Sequence, residues 1–181
     1  MAMPFIQAKG YVAGKLIEGD AAVEIAKKIL EKAEKEKVEI VLPVDFLTAS
    51  KVSQDEEPKP YDYDALPADV YALDIGKKSI DLFTKELGDC SVCVWNGPLG
   101  LFEWDAYCHG TFEIAKAVST LTEKNQLISI AGGGETSQAL EDVHIRDGTA
   151  VHFTHISTGG GASLEMLEGK QLPAFTVFRS L

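Results

Sequence analysis

Residues 127–136 are Leu127-Ile128-Ser129-Ile130-Ala131-Gly132-Gly133-Gly134-Glu135-Thr136. The first five are almost all apolar and span the length of one strand, which is typical of a strand covered on both faces of a parallel sheet. Three glycines follow at once, and a short helical pattern over residues 137–142 comes next. A strand, a glycine-rich turn and a helix in this order indicate one unit of an α/β fold.

A similar order of strand and glycine-rich turn occurs twice more. Ser91–Trp95 is a second strand-length apolar run, and Asn96-Gly97-Pro98-Leu99-Gly100 follows it. Val151–Ile156 is a third, and it precedes Thr158-Gly159-Gly160-Gly161-Ala162-Ser163 and a helical pattern over residues 162–168. Val38–Leu42 is a fourth run, rich in β-branched residues. Apolar positions at helical spacing predict three more helices, one capped by Asp20 and extending through Ala33, one over Lys77–Leu87 and one over Thr111–Leu121.

Strands and helices therefore alternate along the chain. This alternation predicts a three-layer α/β fold with a doubly wound, mostly parallel sheet of the Rossmann-like kind. The length of 181 residues fits one domain, at roughly 150 residues per domain. The segment from Ser50 to Ala72 holds acidic residues and prolines, and we expect it to be a solvated surface loop.

The glycine clusters indicate where a ligand binds. Eight of the 16 glycines lie in these three clusters. In an open parallel sheet, ligands bind beyond the carboxyl ends of the strands, and helix N-termini there present free N–H groups to phosphates. Glycine also lets the backbone approach a ligand closely. The sequence therefore predicts a phosphate or nucleotide site, although it contains neither a P-loop nor the spaced GxGxxG dinucleotide motif.

Charge and composition exclude several partners. The chain has 17 Lys and Arg against 28 Asp and Glu, which gives a formal net charge of −11. So acidic a surface repels nucleic acid and anionic membranes, and we expect neither as a partner. No apolar run approaches the roughly 20 residues that span a bilayer. The first ten residues do not resemble a signal peptide and the three cysteines form an odd set, so we expect a cytoplasmic location.

Two other residue pairs are weak candidates for chemistry. Cys90 and Cys93 form a CxxC pattern, but on a strand the two positions point to opposite faces. His152 and His155 have the same spacing and the same difficulty. We therefore expect small buried hydrophobes at the cysteines and no paired metal ligation at either pair. Trp95 is expected to belong to the core.

Three segments resemble the phosphoglycerate kinase family. They are Val94-Trp95-Asn96-Gly97-Pro98-Leu99-Gly100-Leu101-Phe102-Glu103, Ala131-Gly132-Gly133-Gly134-Glu135-Thr136 and His155-Ile156-Ser157-Thr158-Gly159-Gly160-Gly161-Ala162-Ser163-Leu164-Glu165. Weaker similarities occur at Leu42-Pro43-Val44-Asp45-Phe46 and at Leu73-Asp74-Ile75-Gly76. The resemblance is collinear from about Met1 to the end of the chain.

The resemblance implies reversible phosphoryl transfer between 1,3-bisphosphoglycerate and ADP, which gives 3-phosphoglycerate and ATP, with Mg²⁺ as cofactor. It implies that residues 1–181 are the nucleotide-binding, C-terminal domain without its start. The glycerate-binding half, with its arginines and histidine, has no counterpart in the sequence. Because catalysis needs both substrates held in line, we expect the isolated chain to be inactive or nearly so.

The resemblance also implies roles for individual residues. Glu103 would accept hydrogen bonds from the ribose, Glu135 would hold the metal, and Gly76 would lie near the base. Asn96, Pro98 and Gly100 would shape the nucleotide pocket. The residues that would cradle phosphates are Gly132, Gly133, Gly134 and Thr136, and those that would stabilise the transferring phosphoryl group are Gly159, Gly160 and Gly161.

This sequence departs from the family pattern at two of these places. The metal position is usually Asp and is Glu135 here, so the carboxylate is retained but extended by one methylene. Because Mg²⁺ demands tight octahedral geometry, its position is expected to shift or to become water-mediated. The residue after Gly76 is usually Pro and is Lys77 here, which adds a cation at a predicted helix start.

A larger departure concerns the sheet. The family's sheet has the strand order 3-2-1-4-5-6, and this sequence has no counterpart of strands one and two, which leaves the sheet incomplete on its N-terminal side. Strands need lateral partners for their backbone groups. We therefore expect either a second chain to complete the sheet or Val38–Leu42, the counterpart of strand three, to pair in a new place.

Two alternatives to the kinase half remain open at this point. The first is a non-catalytic nucleotide-binding or assembly module. The second is a dinucleotide-binding oxidoreductase domain, which the missing GxGxxG motif disfavours.

Overall fold

The computed structural model describes residues 1–173, which fall into two compact units. The first unit consists of Met1–Glu86 and Leu99–Ile114, and the second of Leu87–Pro98 and the residues from Ala115 on. The chain thus passes from the first unit to the second and back before it ends in the second. No helix among residues 1–173 is long and apolar enough to cross a membrane.

The first unit is built around a small antiparallel sheet. Its strands are β1 (Asp45–Ala49), β2 (Lys59–Asp62) and β3 (Tyr71–Ile75), in the order β2-β1-β3. Its helices are α1 (Ala2–Ala8), α2 (Asp20–Glu36) and most of α3 (Lys77–Gly88). Met3, Ile6, Ala13, Phe46, Leu66 and Val70 form one buried cluster of this unit, and Ala49, Leu73 and Tyr107 form another.

The second unit contains the parallel sheet that the sequence predicts. Its strands are β4 (Val92–Asn96), β5 (Ile128–Gly132) and β6 (His155–Ser157), paired in parallel in the order β4-β5-β6. Helices α5 (Gly134–Asp147) and α6 (Gly160–Leu167) follow β5 and β6, and α4 (His109–Glu123) enters this unit at Ala115. The predicted mixed α/β fold with a parallel sheet and an incomplete set of strands is confirmed.

The first predicted strand is wrong. Val38–Leu42 forms no strand, and β1 begins at Asp45 instead. Neither does the segment pair in a new place among residues 1–173, since β1 itself pairs only with β2 and β3. A β-branched sequence favours a strand only where a neighbouring strand can take its N–H and C=O groups, and this segment has no such neighbour in the described residues.

The predicted surface loop over Ser50–Ala72 is also partly wrong. It contains β2, the start of β3, and the buried side chains of Leu66 and Val70. Three of the four residues of β2 are exposed and one of them is Pro60. An exposed edge strand with a proline has little apolar alternation, which is why the sequence pattern indicated a loop.

The last predicted strand is shorter than Val151–Ile156. Before β6, hydroxyl groups replace the strand ladder: the N–H of His152 donates to Ser119 Oγ at 2.7 Å, and that of Thr154 donates to Ser129 Oγ at 3.1 Å. Ser129 returns the bond from its own N–H to Thr154 Oγ1 at 3.1 Å. The segment is thus tied to α4 and β5 by side chains, and only its last residues join the sheet.

A buried carboxylate joins β1 to α3. Asp45 Oδ1 accepts the N–H of Ser79 at 2.7 Å and Oδ2 accepts the N–H of Lys78 at 3.0 Å, so the anion lies at the N-terminus of the helix. The Ser79 hydroxyl in turn accepts the N–H groups of Val44 and Asp45 at 2.9 and 3.0 Å. Lys77 is exposed beside this cap and pairs with Asp81 at 3.3 Å. The carboxylate offsets the cation that the sequence places at this helix start.

We predict that Ser79→Ala lowers the free energy of unfolding by about 1–3 kcal/mol, because it leaves the N–H groups of Val44 and Asp45 without their acceptor and removes one hydrogen bond to the Asp45 carboxylate. Urea unfolding monitored by circular dichroism measures the loss. Thr84→Ala, at an exposed position on the same helix, is the matched control and should change stability by less than about 0.5 kcal/mol. Equal stabilities of the two variants would contradict the proposed role of this joint.

Candidate functional site

The three parallel strands of the second unit end side by side. Asn96, the last residue of β4, is in register with Gly132, the last residue of β5, and Gly132 is in register with Ser157, the last residue of β6. Because neighbouring parallel strands present their carboxyl ends at one edge, the residues that follow them come out at the same place. The structure therefore brings the starts of the three glycine clusters together at one edge of the sheet.

Hydrogen bonds fasten these turns to one another. The N–H of Gly97 donates to Thr136 Oγ1 at 2.8 Å, and the same hydroxyl donates to the carbonyl of Gly132 at 2.9 Å. The N–H of Gly133 donates to the carbonyl of Ser157 at 2.9 Å. Thr136 is 1% exposed, so its hydroxyl is a buried link between the first and second turns.

Two glycines lie where a side chain is disfavoured, Gly133 by its backbone conformation and Gly160 by lack of space. Gly133 has φ of 104°, a region that favours glycine, and a Cβ added to Gly160 would lie 2.6 Å from the Cα of Gly133. The turn after β5 and the turn after β6 are thus in backbone contact. A Cβ added to Gly161, the next residue, would meet no other atom within 4 Å.

The two helices that begin at this edge have uncapped N-termini. Gly133 and Gly159 occupy the N-cap positions of α5 and α6, and neither helix has a side-chain cap. Ser137 and Ser163 direct their hydroxyls back to the N-cap carbonyls, at 3.0 and 2.9 Å. The N–H groups of each first turn stay available to a ligand, and the dipoles of both helices favour an anion there.

Glu135 is the acidic side chain of this edge. It is exposed in the first turn of α5. No group of three or more His, Cys, Asp or Glu side chains that could hold a metal occurs within residues 1–173. A cation at Glu135 would accordingly take the rest of its oxygen ligands from a bound phosphate and from water, which is the usual way that proteins hold Mg²⁺ with nucleotides.

The other predicted site residues, Gly76, Gly100 and Glu103, lie in the first unit. A Cβ at Gly76 would lie 2.2 Å from Asp45 Oδ2, and one at Gly100 would lie 2.3 Å from Asp74 Oδ1. Each position therefore excludes a side chain because a carboxylate of the protein itself occupies the space. Glu103 is exposed in a turn closed by the N–H of Trp104 on the carbonyl of Leu101, at 3.0 Å.

Asp74 is a residue that sequence reasoning missed. It occurs in one of the weaker family similarities, Leu73-Asp74-Ile75-Gly76, and an acidic residue inside a strand gives no pattern of its own. The structure places it 3% exposed on β3, where Oδ2 accepts the N–H of Gly110 at 2.9 Å in the first turn of α4. Burial raises the pKa of Asp74 to about 7, against the two backbone N–H groups that lower it.

The remaining candidates contribute little. Trp95 is in the core as predicted, 8% exposed and with its ring centroid 6.0 Å from that of Phe153. Cys90 precedes β4 and is exposed, whereas burial raises the pKa of the Cys93 thiol on the strand, with a smaller contribution from Cys90. A raised pKa makes a thiol less reactive at neutral pH.

A parallel sheet with glycine-rich turns at its carboxyl edge is typical of α/β proteins that bind a ligand at that edge. Comparison with known proteins identifies the family. The sequence matches the family described as phosphoglycerate kinase over residues 1–170. Phosphoglycerate kinase A of Trypanosoma brucei brucei is 42% identical over 177 residues, which cover 98% of this chain and 34% of that relative. The enzyme of Chlorobium phaeobacteroides (strain BS1) is 42% identical over 97% of this chain and 43% of its own length.

The structure agrees with the sequence match. The solved structure of phosphoglycerate kinase from Coxiella burnetii superposes with a TM-score of 0.86 at 35% identity, covering 99% of this chain and 44% of that one. The chain belongs to the phosphoglycerate kinase family, whose members are kinases, and this membership replaces the oxidoreductase alternative. It spans less than half the length of each of these relatives.

We predict that Gly160→Ala destabilises the second unit by about 1–3 kcal/mol, because the new methyl group overlaps the backbone of Gly133. Thermal unfolding and the amide NMR shifts of residues 132–136 measure the effect. Gly161→Ala adds the same methyl group one residue later in open space, and it should leave both stability and those shifts close to the parent values. A Gly160→Ala protein as stable as the Gly161→Ala protein would show that the two turns are not in contact.

Proposed function

We propose that this chain carries the ADP/ATP-binding half of a phosphoglycerate kinase. The whole protein would transfer a phosphoryl group reversibly between 1,3-bisphosphoglycerate and ADP, giving 3-phosphoglycerate and ATP, with Mg²⁺. The observation that supports this most is the meeting of three glycine turns and two uncapped helix N-termini at one sheet edge. A chain with a formal net charge of −11 would otherwise repel a nucleotide phosphate.

The phosphates would bind in the second unit. In this proposal the turn that contains Gly132, Gly133, Gly134 and Thr136 cradles the phosphates of the bound nucleotide. Its donors are the backbone N–H groups that bonds within the protein leave free, since the N–H of Gly133 already donates to Ser157. The turn of Gly159, Gly160 and Gly161 faces the phosphoryl group in transit and stabilises its developing charge with fixed dipoles. Hydrogen bonds between the turns hold these donors in place before the ligand arrives, which reduces the reorganisation needed during transfer.

Five residues are proposed to bind the nucleoside or to shape its pocket. Glu103 is exposed and can accept bonds from ribose hydroxyls with its carboxylate, while Asn96 and Pro98 lie at the end of β4 and just beyond it. Gly76 and Gly100 pack closely against buried carboxylates. In this proposal the two glycines shape the backbone near the base.

Glu135 would hold the metal. When bound, Mg²⁺ neutralises part of the charge on the nucleotide phosphates. Glu135 has a free, exposed position in the first turn of α5, and its extra methylene relative to Asp places the carboxylate farther from the helix backbone. We infer that it holds the cation through a water molecule, since octahedral Mg²⁺ keeps several of its waters.

We predict that Glu135→Gln removes most of the gain in ADP affinity that Mg²⁺ produces, roughly ten-fold, by analogy with the loss of a water-mediated metal contact. Calorimetric titration of ADP with and without Mg²⁺ measures the gain. Glu141→Gln is the control, because it makes the same charge change at an exposed position of the same helix. An equal metal gain in both variants would exclude Glu135 as the metal-holding residue.

The isolated chain should not turn over. Holding both substrates in line accounts for several kcal/mol of barrier reduction, and this chain has residues for only one of the substrates. We predict no measurable phosphoglycerate kinase activity from the purified 181-residue chain in a coupled assay, alongside weak ADP binding that Mg²⁺ improves. Turnover near that of an intact kinase would refute the assignment of this chain as one half of the active site.

A second candidate function, assembly with another chain, is favoured by one specific observation. In the described part of the chain β4 pairs only with β5, and Val92, Val94 and Ile128 on one face of this pair are 54%, 46% and 53% exposed. An open edge beside exposed branched side chains suits a further strand and its helix. We propose self-association through this edge as the alternative to catalysis.

We also propose a cytoplasmic location for the protein, because its free cysteine thiols would stay reduced there.

Light scattering and ADP calorimetry on the same sample distinguish the two candidates. Particles of twice the chain mass without detectable binding at millimolar nucleotide would favour the assembly role. Monomers that bind ADP would favour the kinase half.

A further inference from the structure

Asp74 is a buried carboxylate to which the proposed function assigns no role. Its two oxygens accept the N–H of Gly110 at 2.9 Å and that of Ile75 at 2.8 Å. Gly110 lies in the first turn of α4, so the carboxylate is the anion at the N-terminus of that helix. A Cβ at Gly100 or at Gly110 would lie 2.3 or 2.2 Å from Asp74 Oδ1, which shows that the backbone at both glycines encloses this carboxylate.

Asp74 lies beside the segment that carries Glu103, the predicted ribose-binding residue. We call residues Leu99–Glu103 the ribose segment. The N–H of Leu101 donates to the carbonyl of Leu73 at 2.9 Å, and that of Leu99 donates to Thr111 Oγ1 at 3.0 Å. The ribose segment is therefore fastened to β3 on one side and to the start of α4 on the other, with Asp74 between these attachments.

We propose that Asp74 is a positioning residue that fixes the ribose segment to the start of α4, and that protonation of its carboxyl group loosens the segment and weakens nucleoside binding. The proposal rests on the proposed function, because Glu103 binds the ribose only if the chain binds a nucleotide. Asp74 itself touches no ligand in this scheme and acts through Gly100 and Gly110.

The chemistry of the carboxyl group gives the sign of the effect. An ionised carboxylate offers an anionic acceptor to both N–H donors, whereas a neutral carboxyl group turns one oxygen into a hydroxyl and keeps one strong acceptor. Because the pKa of Asp74 is raised to about 7, nucleoside affinity should be high above neutral pH and should fall as the pH drops through 7.

Global stability should change in the opposite direction. The folded state binds the Asp74 proton more tightly than the unfolded state, in which the carboxyl group has the ordinary pKa of 3.8. The contribution of this group to stability is therefore greatest at acid pH and declines as the pH rises through 7. Loss of nucleoside affinity at acid pH would thus not come from this group unfolding the protein.

Other ionisable groups lie on the elements against Asp74. They are Asp45 on β1, Tyr71 on β3, Glu103 in the ribose segment, Asp105 and Tyr107 in the short helix that follows it, and Cys108, His109 and Glu113 at the start of α4. Histidine is the side-chain type among these that ordinarily exchanges protons near neutral pH. His109 is exposed, and a His109→Gln variant therefore accompanies the experiment.

The experiment follows amide and side-chain carboxyl NMR shifts of the ¹³C,¹⁵N-labelled full chain from about pH 5.5 to about pH 8.5. Adenosine is the probe ligand, since it carries no phosphate that titrates in this range. We expect the Gly110 and Leu101 amides and the Asp74 side-chain carboxyl carbon to shift with one midpoint near the raised pKa of about 7. Adenosine should bind roughly five-fold more weakly at the acid end. His109→Gln should preserve both effects.

Two variants separate the proposal from the function on which it rests. Asp74→Asn should abolish the amide step and make adenosine affinity low and independent of pH. Glu103→Gln should weaken adenosine at every pH while leaving the Gly110 step intact.

The outcomes that overturn the proposal are distinct. The positioning role is overturned if the Gly110 amide shift of the parent chain does not change with pH, or if that change (the Gly110 step) persists in Asp74→Asn. If the variant does not fold, the titration of the Asp74 carboxyl carbon in the parent chain decides the question. A Gly110 step with pH-independent adenosine affinity overturns the link to binding. A step with no adenosine binding at any pH refutes the nucleotide assignment, and with it the nucleoside role of the segment.

Discussion

The register of three parallel strands determines where the glycine turns of the second unit lie. Asn96, Gly132 and Ser157 lie side by side as the last residues of β4, β5 and β6. A shift of register by one residue would turn the alternating side chains of a strand to the opposite face and separate the turns that follow. The buried Thr136 hydroxyl and the bond from Gly133 to Ser157 tie the turns together only because the three strands end at the same level.

The helices α3 and α4 begin differently from α5 and α6. In the first unit, Asp45 caps α3 and Asp74 lies at the start of α4, so buried anions already occupy both positive dipole ends. In the second unit, α5 and α6 begin at glycines with no side-chain cap. Backbone donors that a protein's own carboxylates leave free can bind a phosphate even where the net charge is negative, and the second unit has that arrangement at adjoining turns.

Local pattern in the sequence was more informative for the strands of the second unit than for those of the first. The strands β4 and β5 are mostly apolar and lead into glycine-rich turns, so both their positions and the meeting of their turns could be predicted. The strands β1, β2 and β3 carry Asp45, Pro60 and Asp74, residues that oppose a strand assignment locally and that make sense only with their partners in place. Asp45 is satisfied by α3 and Asp74 by α4, over separations of more than thirty residues that no short pattern records.

The failed strand at Val38–Leu42 and the open edge of β4 have one cause. The resemblance to the phosphoglycerate kinase family assigns this segment to strand three and β4 to strand four of a sheet ordered 3-2-1-4-5-6, so the neighbours that both require are strands two and one. Neither neighbour occurs among residues 1–173. The composition of Val38–Leu42 still favours a strand, and the exposed Val92, Val94 and Ile128 still favour burial, but β-propensity measures the fit to a neighbouring strand rather than a property of the backbone alone. The sequence thus retains the preference for a larger sheet, while the described chain supplies only the part of that sheet at which the glycine turns converge.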